Sequence, residues 1–331
     1  MERVRVGVWG VGTWGEKHVR VYAALEQAEL VGVYDRDPAR AAEVAARHGT
    51  RAFPSADALL EACDALSVAT ATQAHRVAVE RAAAAGRHVL VEKPMAASLE
   101  EADAMRADAT RSGVVLQVGH VERFNPALIA ARPHVARPKF IEAHRLALFQ
   151  PRSLDIDVVF DLMIHDIDIV LDCVGALPDP VSAVGVAVLS ANEDIANARL
   201  EFADGCVANL TASRVSQDRL RRIRFFQSDA YLSVDLLERS VDLLRVDAAR
   251  LQAALPDPLA AAAAIGRSKL AVPEGEPLAL ELAAFLRSLR GEGAGAASAE
   301  AGREALRVAE QVRAEMKRRT RQWTTRTSVV S

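Results

Sequence analysis

The chain has 331 residues, half of them hydrophobic and 26% charged, with a formal net charge of −3. This composition is typical of a globular protein long enough for two domains, and the charge gives no electrostatic basis for binding nucleic acid or an anionic membrane. Three scattered cysteines argue against a disulfide framework and a cysteine-based zinc site. We see no signal peptide or membrane-length apolar run, so we expect a cytoplasmic protein.

The first segment has the pattern of a dinucleotide-binding unit. An apolar strand at residues 3–10 leads into the glycine-rich segment Gly10–Gly15, and a helix follows. A second strand, residues 30–34, ends in Asp35, 20 positions after the last glycine of that segment. This is the spacing expected of the acid that binds the adenosine ribose.

Each part of the glycine-rich segment has a physical role. Gly10 permits the tight turn, Gly12 lets the backbone approach a pyrophosphate, and Gly15 allows close packing of helix on strand. The helix N-terminus offers N–H groups and a partial positive charge to phosphates. The alternative is a purely structural turn, which the register of strands, helix and acid disfavours.

Two residues bear on the choice of cofactor. The Asp35 carboxylate accepts from a ribose 2′-hydroxyl and repels a 2′-phosphate, which favours NAD. Arg36 is able to stack on adenine or to pair with a 2′-phosphate, so NADP stays open.

Further βα units follow in chain order. We predict strands at residues 65–70, 88–91 and 114–118, and helices at residues 37–48, 57–62 (capped by Asp57), 75–85 and 98–111. Ser98 and Glu101 form a capping box at the start of the last helix. This alternation predicts a parallel sheet with helices on both faces, in a domain that ends near residue 120.

Lys93 lies just beyond the predicted strand at residues 88–91, in Glu92-Lys93-Pro94. Open α/β sheets bind ligands at the carboxyl ends of their strands, and proline fixes the backbone directly behind the lysine. A cationic donor held in this way is a candidate for catalysis. The alternative is a solvated lysine that closes a strand.

The second half differs in texture. Strands predicted at residues 139–149, 183–189, 196–202, 206–213, 223–226 and 231–234 indicate a mostly antiparallel sheet. An apolar helix at residues 158–173 carries Asp161 and His165 on one face and Asp168 at its edge. These residues suit a proton-transfer histidine oriented by a carboxylate, or a core histidine satisfied by Asp161. They are also able to bind a metal, but we predict none, since hydride transfer requires none.

The end of the chain is predicted as an excursion or mobile loop over residues 249–275 and two closing helices at residues 276–290 and 298–319. The fold class is therefore α/β. We predict an N-terminal Rossmann domain with a parallel sheet at residues 1–120, and an α/β domain with a large, mostly antiparallel open sheet at residues 121–331.

Three features together resemble the Gfo/Idh/MocA oxidoreductases: the glycine fingerprint, Glu92-Lys93-Pro94, and Asp161-x-x-x-His165-x-x-Asp168. The resemblance covers essentially the whole chain. Residues 70–75 are similar to the family's Thr-Pro-x-x-x-His segment, with Ala71 in place of proline, and residues 298–305 to its closing helix. It implies a second domain that often mediates oligomerisation, and we expect a homodimer or homotetramer.

The resemblance also implies the site. Lys93 and His165 flank the substrate carbon beside the nicotinamide; one of them takes the hydroxyl proton, and the charge of Lys93 stabilises the developing alkoxide. Cofactor contacts are expected from Gly10, Gly12, Thr13, Trp14, Gly15, Asp35, Arg36, Thr70, Thr72, His75, Glu92 and Lys93. Substrate contacts are expected from Lys93, Arg123, Asn125, Asp161 and His165.

The substrate is a small molecule, with no nucleic-acid or membrane partner expected. Residues 119–126 and 161–166 resemble the branch of the family that acts on nucleotide sugars such as UDP-N-acetylglucosamine, which implies NAD-dependent oxidation of the C3 hydroxyl to a ketone. The alternatives are that residues 123–126 simply shape the crossover between domains, that the enzyme oxidises inositol or a free sugar, and that the protein senses dinucleotide without turnover. Three arginines either meet a diphosphate or form a solvated strand face: Arg221, Arg222 and Arg224.

Overall fold

A computed structural model describes residues 3–150, 156–254, 265–293 and 296–327. The chain divides into two compact units. The first comprises Met1–Phe124 and Gly275–Leu306, and the second comprises Asn125–Glu274 and Arg307–Ser331. No described helix combines the length and the apolar character needed to cross a membrane.

The first unit contains a six-stranded sheet in the order β14-β5-β4-β3-β1-β2. Its strands are β1 Val4–Trp9, β2 Ala28–Tyr34, β3 Ala65–Val68, β4 His88–Glu92, β5 Leu116–Gly119 and β14 Ala297–Ser298. The pairs formed by β1 to β5 are parallel, and β14 pairs antiparallel with β5. The predicted parallel sheet is confirmed. In its strand β4 the apolar residues Val89, Leu90 and Val91 are buried, as expected of a strand with both faces covered.

The helices of this unit are α1 Thr13–Ala24, α2 Pro38–Arg47, α3 Ala56–Ala62, α4 His75–Ala84, α5 Leu99–Ser112 and α9 Pro277–Leu289. Side chains cap the N-termini of three of them. Asp37 caps α2 and Ser98 caps α5 through side-chain oxygens that accept backbone N–H groups. The prediction that Asp57 caps α3 is wrong: Ser55 accepts from the N–H of Ala58, and Asp57 lies in the first turn.

The closing segment 275–306 belongs to the first unit, which differs from the predicted division at residue 120. The reason is packing. The apolar side of α9 joins the core formed around β1 and α1, and β14 extends the sheet beside β5. The four buried residues of α9 in that core are Leu278, Leu282, Phe285 and Leu286.

The second unit contains an eight-stranded sheet in the order β13-β12-β11-β10-β6-β9-β8-β7. Its strands are β6 Phe140–Leu146, β7 Val181–Val186, β8 Ile195–Glu201, β9 Val207–Ser213, β10 Leu220–Phe226, β11 Ala230–Asp235, β12 Ser240–Val246 and β13 Ile265–Lys269. Only β6 and β9 pair in parallel among these strands, so the mostly antiparallel sheet is confirmed.

The remaining helices are α6 Pro126–Ala131, a π-helical turn Val159–Met163, α7 Ile164–Val174, α8 Ala248–Ala254 and α10 Ala299–Thr327. The predicted loop over residues 249–275 is wrong at both ends, since it contains most of α8 and all of β13. Its middle, residues 255–264, lies outside the described residues.

The sheet of the second unit has one buried and one partly exposed face. Side chains alternate along the strands, so that Ile223 and Phe225 of β10 are buried while Arg222 and Arg224 are half-buried on the opposite face. Ile141 and Ala143 of β6 lie beside the buried pair. This alternation decides which polar residues of β10 reach which side of the sheet.

Candidate functional site

The glycine-rich segment forms a tight turn between β1 and α1. Gly10 has φ +91°, and a Cβ there would lie 2.8 Å from the backbone of Ala69 and Thr70. A Cβ on Gly15 would lie 1.9 Å from the carbonyl oxygen of Gly10. A Cβ on Gly12, by contrast, would meet nothing within 4 Å. The turn is therefore closed on the protein side and open above Gly12, as a bound pyrophosphate requires.

The N-terminus of α1 faces this open space without a side-chain cap among the described residues. Thr13 and Trp14 are exposed in its first turn. Uncapped N–H groups at a helix start attract phosphate oxygens, so the segment fits the diphosphate of a dinucleotide. Lys17 lies with its Nζ 4.4 Å from the Trp14 ring centroid and adds positive charge one turn into the helix.

Asp35 is half-buried just beyond β2. One carboxylate oxygen accepts from the N–H of Val11 at 2.7 Å and the other from the N–H of Asp37 at 3.0 Å. A carboxylate has further acceptor positions for ribose hydroxyls, and these two bonds fix its orientation toward the glycine turn. Arg36 is exposed next to it. The carboxylate of Asp35 is thus a hydrogen-bond acceptor that fits an adenosine ribose with a free 2′-hydroxyl.

The segment after β3 is held by His75, the first residue of α4. Its ring is 1% exposed, with Nε2 3.2 Å from the Thr70 oxygen and Nδ1 3.1 Å from the Pro94 oxygen. Burial lowers the pKa of His75, although the facing carbonyls favour its protonated form. The ring therefore connects the loop after β3 to the loop after β4. Cofactor contact by His75, by the half-buried Thr70 and by Thr72 in the 3₁₀ turn before α4 stays a prediction.

Lys93 is half-buried directly after β4, and its peptide bond to Pro94 is cis. The preceding Glu92 is 7% exposed and accepts from the backbone N–H of Lys93 at 3.2 Å. Its other oxygen lies 3.0 Å from His18 Nε2. Burial alone would raise the pKa of Glu92, but His18, a hydrogen bond from Trp14 and the charge of Lys93 together lower it below its usual value. A carboxylate ionised at neutral pH thus lies behind the candidate catalytic lysine.

A buried series of hydrogen-bonded side chains extends from Glu92 through the interior of the first unit. His18 Nδ1 lies 2.9 Å from the Ser67 hydroxyl, which lies 3.0 Å from the Tyr22 hydroxyl. His18 and Ser67 are fully buried, and burial raises the pKa of Tyr22. This hydrogen-bonded series was not predicted from the sequence. The one sequence feature that indicates it is the spacing of His18 and Tyr22, which are four residues apart and therefore lie on the same, buried side of α1.

Arg123 and Asn125 lie at the division between the units. Arg123 is half-buried in a 3₁₀ turn that spans Val121–Phe124. Asn125 is 4% exposed; its oxygen accepts from the N–H of Ala127 and caps α6, and its Nδ2 donates to the Leu236 oxygen at 2.9 Å. Both ends of this amide therefore fasten the second unit. Substrate contact by Arg123 and Asn125 stays a prediction.

The helix predicted to carry Asp161 and His165 begins with the π-helical turn and continues as α7. Asp161 lies in the π turn, His165 is the second residue of α7, and both are half-buried. Asp168 is 1% exposed, and Asp166 forms a buried ion pair with Arg145 at 2.7 Å. Single π turns occur often at functional sites, where they re-aim side chains. Among the residues that the structure describes, no cluster of histidine, cysteine and carboxylate side chains has the arrangement of a metal site.

A cleft of about 240 Å³ opens beside the π turn, within the second unit. Asp161 and Leu162 line one side. The other side comes from the chain just after β6 and β9 and around the start of β10. Its polar lining residues there are Gln150, Arg214, Arg219 and Arg221.

The structure thus brings together the predicted residues of the first unit at the carboxyl ends of β1 to β4. The glycine turn contacts Thr70, His75 joins Thr70 to Pro94, and Glu92 holds the backbone of Lys93. Asp161 and His165 lie one helical turn apart in the second unit. The first group has the geometry of a dinucleotide site, and the second places a half-buried histidine one helical turn from Asp161, which lines the polar cleft.

Comparison with known proteins agrees with this geometry. Residues 4–120 match the oxidoreductase family with an NAD-binding Rossmann fold, and residues 134–233 match the GFO/IDH/MocA C-terminal domain. The chain is 48% identical over 244 residues, which are 73% of this chain and 77% of the relative, to UDP-N-acetylglucosamine 3-dehydrogenase from Acidithiobacillus ferrooxidans. It is 32% identical to an inositol 2-dehydrogenase from Acidothermus cellulolyticus, over 50% of this chain and 52% of the relative.

Solved structures give the same result. That of UDP-N-acetylglucosamine 3-dehydrogenase from Acidithiobacillus ferrooxidans covers 95% of this chain and 98% of its own, with a TM-score of 0.86 and 41% identity. A levoglucosan dehydrogenase in complex with NADH and levoglucosan shares the fold, with a TM-score of 0.83 at 18% identity. The matches to both domains, together with the 48% identity, show that the chain belongs to the GFO/IDH/MocA oxidoreductase family.

Proposed function

We propose that this protein is an NAD-dependent dehydrogenase that oxidises the C3 hydroxyl of UDP-N-acetylglucosamine or a related UDP-sugar to the 3-keto form. The proposal of this substrate rests on the 48% identity to a UDP-N-acetylglucosamine 3-dehydrogenase across 77% of that relative's length. The inositol dehydrogenase resembles the chain less, at 32% identity over 52% of its length.

The cofactor proposal is supported by the glycine turn that is open above Gly12 and by the oriented carboxylate of Asp35. Their functions are to bind the pyrophosphate and to accept from the adenosine ribose. NAD, when bound, supplies the acceptor for the hydride that leaves the sugar carbon. Asp35 favours NAD over NADP, because its charge opposes a 2′-phosphate.

We propose that either Lys93 or His165 accepts the proton of the substrate hydroxyl. The backbone of Lys93 is fixed after β4, because Glu92 accepts from its N–H and the His75 ring lies 3.1 Å from the Pro94 oxygen. From this position a protonated Lys93 would stabilise an alkoxide. His165 is half-buried and follows Asp161 by one turn, and a neutral imidazole is able to accept a proton. Oxidation proceeds as the base, which is His165 as a neutral imidazole or Lys93 as a neutral amine, takes the hydroxyl proton and the carbon gives up hydride.

The test is a substrate panel with the purified protein, followed by NADH formation. UDP-N-acetylglucosamine should give turnover with NAD, while N-acetylglucosamine and myo-inositol should give little. The variants Lys93→Ala and His165→Ala should each lower kcat by about 10²–10⁴-fold. His165→Ala should leave the Kd for NAD within about twofold, and Lys93→Ala, which also removes an expected cofactor contact, should raise that Kd by no more than about tenfold. Activity on myo-inositol without activity on UDP-N-acetylglucosamine would overturn the substrate. NAD binding without turnover of any sugar would favour a dinucleotide sensor.

We also propose that the chain assembles as a homodimer or homotetramer through the partly exposed face of the eight-stranded sheet. The support is the size of that face and its half-buried apolar residues, among them Phe140 and Phe226, whose ring centroids are 5.4 Å apart. Light scattering coupled to size-exclusion chromatography tests this: a monomer at micromolar concentration would contradict it.

A further inference from the structure

The cleft beside the π turn has a charge pattern that the mechanism does not use. Three guanidinium groups and one carboxylate line it, from Arg214, Arg219, Arg221 and Asp161. We infer that this cationic cleft binds the diphosphate of the nucleotide-sugar substrate through Arg219 and Arg221; the inference rests on the proposed function.

Arg221 lies on a different face of β10 from Arg222 and Arg224. Arg222 and Arg224 lie on the partly exposed face of the sheet, where Arg222 pairs with Asp235 at 2.8 Å and Arg224 pairs with Glu142 at 2.6 Å. Arg221 alternates to the other face, two residues before the buried Ile223, and lines the cleft. Of three arginines that look equivalent in sequence, one therefore reaches the cleft.

The other two arginines of the cleft, Arg214 and Arg219, differ in burial and pairing. Arg214 is 4% exposed, and its guanidinium donates to Asp194 at 2.8 Å, to the Ile156 oxygen at 2.8 Å and to Ser190 at 3.0 Å. It stiffens the wall of the cleft, and its charge is neutralised by Asp194. Arg219 is exposed, and no carboxylate of the described ranges forms an ion pair with it. Arg219 and Arg221, two residues apart in the chain, are both exposed to solvent at this cleft.

Two exposed guanidinium groups suit a diphosphate ligand. Guanidinium groups bind phosphoryl oxygens with paired, charge-assisted hydrogen bonds, and two of them match the two negative charges of a diphosphate ester. Leu148 and Leu237, both exposed at the cleft, supply apolar surface beside the charges. Asp161, on the opposite wall, lies one turn before His165. A ligand whose diphosphate binds here is thus held next to the element that carries the proposed proton-transfer histidine.

The experiment measures UDP binding by calorimetry, without sugar turnover, for the unmodified chain and four variants. Arg219→Gln and Arg221→Gln should each weaken UDP binding about tenfold or more. Arg222→Gln and Arg224→Gln remove the same charge from the same strand on the other face, and should leave the Kd within about twofold. Circular dichroism confirms that each variant is folded. In turnover assays the two cleft variants should raise the KM for UDP-N-acetylglucosamine by a similar factor and change kcat little.

Several outcomes overturn the inference. UDP binding that is unchanged in both cleft variants, or equally weakened in the two control variants, rules out the cleft. Inorganic phosphate or glucose 6-phosphate that binds the same arginines as tightly as UDP replaces the diphosphate with a monophosphate ligand. If the unmodified chain oxidises UDP-N-acetylglucosamine and the cleft variants retain its KM, the inference fails and the proposed function stands. If UDP binds through Arg219 and Arg221 but no nucleotide sugar is oxidised, the proposed function fails and the binding site stands.

Discussion

At the scale of single residues, Asp35 decides which dinucleotide the proposed site accepts. Its carboxylate is oriented by the N–H groups of Val11 and Asp37. We predict that Asp35→Ser raises the ratio of kcat/KM for NADP to that for NAD about 100-fold, because removing the charge removes a like-charge repulsion of several kcal/mol against the 2′-phosphate. Steady-state kinetics with both cofactors measure the ratio.

Asp37→Ser is the matched control for this prediction. Asp37 lies two residues away and caps α2, so its replacement by another capping residue should alter stability little and keep the preference for NAD. An Asp35→Ser enzyme that prefers NAD as strongly as the unmodified enzyme would contradict the assignment of Asp35 to the ribose.

The individual site residues differ in how far sequence could predict them. Gly10 and Asp35 are defined by short patterns around a turn, and Lys93 by the end of an apolar strand, so local spacing predicts where they lie in the fold. Catalysis by Lys93 was predicted only together with the glycine-rich segment and His165, and it stays a prediction. His18 was missed, because its partners Ser67 and Glu92 are 49 and 74 positions away. Such contacts depend on which strands become neighbours in the sheet, and no local pattern encodes that.

At the scale of elements, Glu16 links α1 to α2. It forms ion pairs with Arg47 and with Arg40, the latter at 2.5 Å, and lies 3.4 Å from His48. The hydrogen bond from Arg47, opposed by burial and reinforced by those from Arg40 and His48, lowers the pKa of Glu16 from 4.5 to about 2. A carboxyl group with a lowered pKa in the folded state stabilises the protein above its unfolded pKa, and this stabilisation is lost as the pH falls from 4.5 toward about 2.

We therefore predict that Glu16→Gln lowers the free energy of unfolding at pH 7 by about 1 kcal/mol, a value discounted because Arg47 is half exposed to solvent. The difference between variant and unmodified protein should shrink between pH 4.5 and 2. Urea titrations at several pH values measure it. Glu26→Gln, an exposed carboxylate just beyond α1, is the control, and an equal loss there would contradict the prediction.

A second element-scale device holds the connection between β7 and β8. Asp194 accepts from the N–H groups of Val188, Leu189 and Ser190 at 2.6–2.9 Å, and pairs with Arg214 at 2.8 Å. Burial alone would raise the pKa of Asp194, but these donors hold it well below its usual range. Its contribution is therefore present above the ordinary carboxyl pKa and is lost in acid.

We predict that Asp194→Asn lowers the free energy of unfolding at neutral pH by about 3 kcal/mol, because Arg214 keeps a buried charge without its carboxylate. Denaturant titration measures the loss. The exposed pair of Arg199 and Glu201 on β8 gives the control: Glu201→Gln should cost less than about 1 kcal/mol. Equal losses in the two variants would show that the burial of the Asp194 pair has no energetic weight.

The elements themselves were largely predictable, and the exceptions have physical causes. Most strands of the two sheets have alternating or continuous apolar runs, which is why they were predictable. The π turn at Val159–Met163 was predicted as part of one ordinary helix, because a single widened turn keeps the same apolar residues. Strand β12 was not predicted although Val241 and Leu243 alternate in it, since its charged positions Asp242 and Arg245 weaken the pattern.

At the scale of the whole molecule, the chain leaves the first unit after Phe124 and returns to it at Gly275. Sequence alone did not indicate this return. The apolar side of α9 fits either sheet by its periodicity, and the two residues of β14 are too few to form a recognisable strand. The assignment rests on contacts between segments more than 150 residues apart, such as Gln117 Nε2 to the Ser288 hydroxyl at 3.1 Å, 171 positions away.

This arrangement makes a prediction about which piece of the chain folds. A fragment of residues 1–120 lacks the four buried side chains of α9, which pack in one core with β1 and α1. Each loss of a buried Leu or Phe costs roughly 2–5 kcal/mol, so the four losses together are comparable to or larger than the ~5–15 kcal/mol that stabilises a domain. We predict that this fragment shows no cooperative melting, whereas residues 1–124 joined by a flexible glycine–serine linker to residues 275–306 melt cooperatively and bind NAD.

Circular dichroism melting and calorimetric NAD titration distinguish the two fragments. Phe285→Asp in the linked fragment is the matched control: it places a charge in the same core and should abolish the transition while the chain length is unchanged. A fragment of residues 1–120 that melts at the temperature of the linked fragment would show that α9 and β14 cover a core already complete without them. The dinucleotide site would then depend only on the segment that precedes residue 120, since every residue proposed to contact the cofactor lies there.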